Sequence, residues 1–216
     1  MSSFTRGVAS ATVAAIASQF ASAGFVYESA NRTVSTTVTG QGADSDSIAV
    51  FGAWFGSAST VGSGYTVLST QGSELAYSQM TFVGAAQISS SSANTVISAA
   101  SWADLSFLAD STESIAWILG LGESATGAST SSAVSVQVTD LTTSLIRLFA
   151  SGDFTGSGSF GVIAGHRYRV VVNATSASAS AGEVLSNYNV GLFSVPSPAG
   201  AALLGLAALV GRTRRR

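Results

Sequence analysis

The chain is expected to fold as an all-β protein, an antiparallel β-sandwich, and three observations lead there. Apolar residues fall in segments four to nine residues long, rich in Val, Ile, Phe and Thr, and clusters of Gly and Ser separate them. Within the clearest segments apolar and polar residues alternate one by one, the period of a half-buried strand. Through the middle of the chain no stretch sustains the three-and-four spacing of an amphipathic helix. The turn-rich breaks leave no room for the helical crossovers of a parallel sheet, and about nine or ten strands suit two packed sheets.

The first expected element is helical. Met1 to Gly7 carries Arg6, Val8 to Ala17 is apolar and rich in alanine, and Ala21-Ser22-Ala23 is a small-residue cleavage pattern ahead of Gly24. Residues 1–23 therefore read as a secretory signal peptide, with Ala21 and Ala23 as its cleavage residues. Ser10 and Thr12 dilute the apolar part, so an amphipathic helix that stays attached is the alternative. Strands are expected near 25–39, 48–54, 65–69, 75–88, 115–121, 134–138, 145–149, 160–163, 167–174 and 188–193. In 167–174, Tyr168, Val170, Val172 and Ala174 share one face, and Arg167, Arg169 and Asn173 the other. Val134, Val136 and Val138 repeat the pattern against Ser135, Gln137 and Thr139. The sandwich domain is expected to span 24–194.

The run from Phe160 through Gly165, His166 and Tyr168 to Val170 resembles the tyrosine corner of β-sandwich domains, in which a chain crossing between sheets turns at a glycine. That resemblance implies a Tyr168 hydroxyl bonded to a nearby backbone group, worth about 0.5–1.5 kcal/mol, and a buried acceptor left unpaired by Tyr168→Phe. It favours a jelly-roll-like sandwich. Gly156-Ser157-Gly158-Ser159-Phe160-Gly161 has the letters of a dinucleotide fingerprint, but a strand follows where a helix N-terminus would have to receive the pyrophosphate. A glycine-rich hairpin connection explains these residues instead.

Composition narrows the function classes. There is no cysteine, every basic residue is an arginine, and 9% of residues are charged, so neither disulfides nor a thiolate metal site holds the fold. Between Gly24 and Val195 the four arginines Arg32, Arg147, Arg167 and Arg169 face eleven acids, a balance of −7. A body so charged repels phosphate backbones, which excludes nucleic acid as a partner. At about 170 residues one domain can bury about 68 to 70% of its unfolded surface.

Support for catalysis is thin. His166, the only histidine, enters a strand with no local serine, cysteine or carboxylate arrangement to make it a base, and reads as a loop histidine. No Gly-x-Ser-x-Gly elbow occurs. Glu74, Asp104, Asp110, Glu113, Glu123 and Asp153 could supply a glycosidase pair only through a spatial separation that sequence does not give. Asp44-Ser45-Asp46 could join backbone carbonyls around Ca²⁺, a hard oxygen-seeking cation, or could be a solvated turn entering a strand; no other cofactor is indicated. Trp54 and Trp117 lie in apolar runs and are expected in the interior. Trp102, after the polar stretch 89–95 and before Asp104, is the candidate glycan contact, on a loop or a strand edge. The sequons at Asn31 and Asn173 are short matches.

The chain closes on Val195-Pro196-Ser197-Pro198, a small-residue apolar run over 199–210, and Arg212, Arg214, Arg215 and Arg216. Guanidinium groups resist crossing a bilayer, so such a segment enters lipid and stops at the cytoplasmic face. As a helix the twelve apolar residues reach about 18 Å against a hydrocarbon core of about 30 Å, short for a permanent anchor unless the arginines snorkel and the bilayer thins. The alternative is a C-terminal helix buried in the domain. This order of parts resembles the bacterial PEP-CTERM sorting signal, whose members show a Pro-Glu-Pro-like triplet, a short transmembrane stretch and an arginine-rich end; here Ser197 stands in place of the glutamate. The resemblance covers the tail 195–216 alone. It implies an exosortase-type processing enzyme as partner, transient or permanent contact with the inner membrane, and delivery to the cell envelope, the cell surface or an extracellular matrix. An exported structural or binding protein without catalysis is the leading expectation. A surface-displayed carbohydrate-binding module that takes extracellular polysaccharide is the alternative, and a glycan-modifying enzyme the third.

Overall fold

The computed structural model describes residues 24–91 and 95–195. Both expected helices lie outside them, as do the cleavage residues Ala21 and Ala23 and the tail from Pro196 to Arg216. Twelve strands fill the described residues: β1 (Phe25–Val38), β2 (Gly42–Ile48), β3 (Trp54–Gly62), β4 (Tyr65–Ala76), β5 (Gln79–Ser90), β6 (Ile97–Ala109), β7 (Glu113–Thr126), β8 (Thr130–Asp140), β9 (Leu145–Ser151), β10 (Phe154–Val162), β11 (Arg167–Ser178) and β12 (Gly182–Val195). They form two six-stranded sheets, antiparallel throughout. The first runs β2-β1-β6-β11-β8-β9 and the second β10-β7-β12-β5-β4-β3. The sheets lie face to face around one apolar cluster, the arrangement of a β-sandwich. No described helix is long and apolar enough to cross a membrane.

Several expected strands need correction. Residues 75–88 are not one strand, because β4 and β5 meet in a turn at Tyr77-Ser78. Strand β6, at the middle of the first sheet, was not expected at all. Its inward positions begin Ile97, Ala99, Ser101 and Ala103, and small residues mute the apolar alternation that marks a buried strand. The glycine–serine run 156–161 is not a hairpin connection but lies within β10. Its inward glycines are covered by aromatic rings: a Cβ on Gly158 would come within 2.6 Å of the Trp117 indole of β7, and one on Gly156 within 3.0 Å of Phe154 on the same strand. Aromatic rings laid over strand glycines recur at Gly56 beneath Trp54, Gly62 beside Tyr65 and Gly84 beneath Tyr188. Flat rings thereby fill the volume the missing side chains leave.

At the centre the two inner faces meet through serine. Ser69 on β4 donates to the Ala100 carbonyl of β6 at 2.6 Å, and Ser101 on β6 donates to the Thr70 carbonyl of β4 at 3.0 Å. Ser176 on β11 donates to the Ala86 carbonyl of β5, and Ser186 on β12 to the Thr175 carbonyl of β11, each at 2.7 Å. Each hydroxyl crosses from one sheet to the backbone of the other, which requires small side chains on both inner faces. Tyr188 joins the row, its hydroxyl 2.6 Å from Ser101 Oγ, and burial pushes its phenol well above the ordinary range despite that bond. Around the row lie Phe82, Ile88, Leu105, Ile115, Val136, Val170, Val172 and Val190.

The corner near Tyr168 forms with its polarity reversed from expectation. The Ile163 N–H donates to the Tyr168 hydroxyl oxygen at 2.9 Å, so Tyr168→Phe would strand a donor, not an acceptor. On β1 the alternation that buries Ala30, Val34 and Val38 also buries Arg32 completely. Its guanidinium donates to the carbonyls of Gly52, at 2.9 Å, and of Val50, and to Ser73 Oγ at 2.8 Å. It also lies 5.6 Å from the Trp54 ring centroid. Among the described residues no carboxylate pairs with it, and burial lowers its pKa. Arg32 thus pins the β2–β3 connection across the flank of the sandwich.

The serine row predicts an ordering of substitutions. Ser176→Ala should destabilise by about 1 kcal/mol, because the Ala86 carbonyl loses only a second hydrogen bond. Ser176→Val should destabilise more, by about 1–3 kcal/mol beyond that, because the added methyl groups wedge the sheets apart. Urea denaturation of the three proteins measures this, and a valine variant as stable as the alanine variant would refute close contact of the sheets.

Candidate functional site

Trp102 is neither on a loop nor at an edge. It sits in the interior strand β6, between Thr33 on β1 and Asn173 on β11, and alternation turns it outward while Ser101 and Ala103 face the core. Asp104, the next outward residue, is bonded to the Arg169 Nε at 2.8 Å. No tyrosine lines up with Trp102: Tyr65 and Tyr188 pack in or against the core, and Tyr77 lies in the β4–β5 turn, its hydroxyl bonded to Asp110. The half-buried Trp102 therefore has a flat polar field around it but no aromatic strip. Trp54 and Trp117 are also half-buried, both on inward-facing positions at the margins of the sandwich.

A depression of about 490 Å³ lies on the outer face of the second sheet. Cross-strand register explains it. Phe55, Gly72, Val83, Asn189 and Gly120 stand side by side in one row across β3, β4, β5, β12 and β7, and Thr70, Ala85, Asn187 and Gly122 in the next. Glycine and alanine lower the floor while Phe55, 71% exposed, forms one wall. Asn187 and Asn189, two apart on one strand, point the same way and supply amides from the opposite wall. No charged residue lines it. An uncharged trough with one aromatic face and paired amides suits a neutral polyhydroxylated ligand. Asn189 lies in the expected strand 188–193 and Asn187 just ahead of it, so alternation carried on by one residue was the available signal; Phe55 stands beside Trp54, which was expected in the interior.

Most of the candidate acids hold a structural contact. Asp44 and Asp46 lie in the edge strand β2, opposite the buried Thr36 and Val34, so both carboxylates point inward along the edge. Asp44 Oδ2 accepts from the Ser59 N–H of β3 at 2.8 Å, and among the described residues no group of three or more His, Cys, Asp or Glu comes together. Asp110 accepts from the Gly24 N–H, Glu123 from the Val134 N–H and Asp153 from the Glu123 N–H. Glu113 is held above the usual carboxyl range, first by burial and further by Asp110, while the hydrogen bond from Ser194 opposes the rise. Its Oε2 accepts from Ser194 at 2.6 Å, a packing contact at the end of β12.

His166 lies in the turn before β11, and its carboxylate partner is distant in sequence: β8 and β11 are neighbours and bring Asp140 to its ring. His166 Nδ1 lies 3.1 Å from Asp140 Oδ2, which also takes the Arg147 guanidinium at 2.8 Å. Asp140 Oδ1 accepts from the Thr142 and Thr143 N–H groups of the β8–β9 turn. Burial of this carboxyl opposes ionisation, yet the bonds from Arg147, His166 and Thr143 outweigh it and hold the pKa well below the carboxylate range. An ionised, fully bonded Asp140 organises a turn, and the Tyr168 ring stacks against His166. The cluster is a knot between β8, β9 and β11.

Compared with known protein families and with curated proteins, the chain matches no family model and no curated sequence.

Asp140 makes stability depend on acid. Its folded pKa lies below its unfolded value near 3.8, so its contribution is complete above that value and drains away as pH falls below it. Denaturation midpoints should therefore drop steeply between about pH 4 and 2, and Asp140→Asn should destabilise the neutral protein by about 1–3 kcal/mol while flattening that slope. An unchanged slope in the variant would remove Asp140 from the account.

Proposed function

We propose that the chain is an exported, non-catalytic sandwich of a bacterial cell envelope or extracellular matrix, sorted by its PEP-CTERM-like tail through an exosortase-type enzyme at the inner membrane. The observation that carries this reading is the order of parts in 195–216: prolines flanking Ser197, a short apolar run and terminal arginines. The signal-like segment 1–23 agrees with it, since such a tail acts on a chain already threaded through the membrane. The arrangement of acids favours a role without catalysis, because most of the candidate carboxylates hold a backbone amide or an arginine. The fold within this reading is jelly-roll-like: β5-β12-β7-β10 in one sheet and β6-β11-β8-β9 in the other follow the order of two interlocked Greek keys, and β1–β4 extend the same flank.

Deleting residues 199–216 from the full chain tests the sorting reading by fractionation of the producing cell. Loss from the envelope, with accumulation in the medium or periplasm, is expected. Unchanged partitioning would overturn it.

The second reading, glycan binding, is favoured by one observation, the uncharged trough at Phe55, Asn187 and Asn189, rather than by Trp102. On a glycan array the full chain should bind neutral polysaccharide, and Phe55→Ala should weaken binding about tenfold or more, the loss of one stacking contact. Binding that falls with Trp102→Ala and not with Phe55→Ala would move the site to the other sheet.

A further inference from the structure

The two flanks of the sandwich are protected very differently. On one flank the edges β2 and β3 are joined by the Asp44–Ser59 bond, lined by the inward carboxylates of Asp44 and Asp46, and crossed by the connection that Arg32 pins. Inward charges and covering loops are the usual means of stopping a strand edge from recruiting another chain. The opposite flank has none of them on its longer edge. Strand β10, Phe154–Val162, pairs with β7 over nine residues without a bulge, carries no charge and no proline, and among the described residues has no strand on its other side. Beside it, β9 exposes Leu145, Ile146 and Phe149, the last two 59% and 58% accessible.

We infer that β10 is a docking edge for a second copy of this chain, pairing antiparallel with its own counterpart. Charge selects this occupant. With a body at −7, most self-contacts oppose acids, and a contact through β2 would bring Asp44 and Asp46 of two copies together, whereas two β10 edges meet with no charge at all. Pairing about the middle residue, Gly158, sets Ser157 opposite Ser159 of the second copy and leaves the core side, with Trp117 over Gly158, undisturbed. The same approach brings the exposed β9 side chains of both copies together, so apolar burial accompanies the new backbone hydrogen bonds. A two-fold pairing consumes the edge it uses and closes as a dimer rather than a fibre. None of this depends on the sorting tail.

Sedimentation of the full chain, the Ser157→Lys/Ser159→Lys variant, Phe149→Glu and the β2 control Ser45→Lys tests the inference. All four positions are exposed, and melting curves establish that each protein is folded. The parent and Ser45→Lys should sediment as dimers at a concentration where the β10 variant is monomeric, with self-association weakened about tenfold or more by lysines facing lysines, and Phe149→Glu should be weakened in the same direction. A common mass for all four proteins, whether monomer or dimer, would overturn it. So would retention of the dimer by the β10 variant alone.

Discussion

The fold depends on how closely its two sheets approach, and buried serine hydroxyls set that distance. Ser69, Ser101, Ser176 and Ser186 each reach a backbone carbonyl of the opposing sheet, which only small inner-face residues permit. A chain without cysteine has no covalent tie between its layers, and apolar packing alone is indifferent to small slides of one sheet over the other. Directional bonds at the centre fix the register. The larger side chains then fill the space around them, and where a strand glycine would leave a hollow an aromatic ring lies over it, as Trp117 does at Gly158.

That economy explains what could and could not be read from the chain. Strands β8 and β11 were legible because valines alternate with polar residues in both. Strand β6 was not, because Ala99, Ser101 and Ala103 occupy the inner face where the serine row demands small residues. The glycines of β10 read as a turn because the ring over Gly158, Trp117, is contributed by another strand, β7, far away in sequence. Arg32 was placed in a strand whose alternation directs it inward, but a buried guanidinium held by two carbonyls and a serine hydroxyl, without a carboxylate, has no sequence signature. Trp102 faces outward, but from the interior strand β6 rather than from a loop or an edge, and on the opposite sheet from the trough. The trough at Phe55, Gly72, Val83, Asn187 and Asn189 draws on four strands of one sheet and exists only through their register.

The surface divides by role. One outer face carries Trp102 amid Asn, Thr and a paired Asp104–Arg169; the other carries the uncharged trough. One flank is closed by Asp44, Asp46 and the Arg32-pinned connection, and the other leaves β10 free. The tight knot of Asp140, Arg147 and His166 belongs to that second flank and stiffens the turn leading into β9, so the free edge stands on a rigid base. These features suit the non-catalytic module proposed above, in which sorting is left to the terminal segments.

The intact mass of the protein recovered from its native envelope, with sequencing of both termini, tests the central claim most directly. The account predicts a mature chain that starts near Gly24 and ends near Pro198. A soluble cytosolic protein that retains Met1 and the terminal arginines would contradict it.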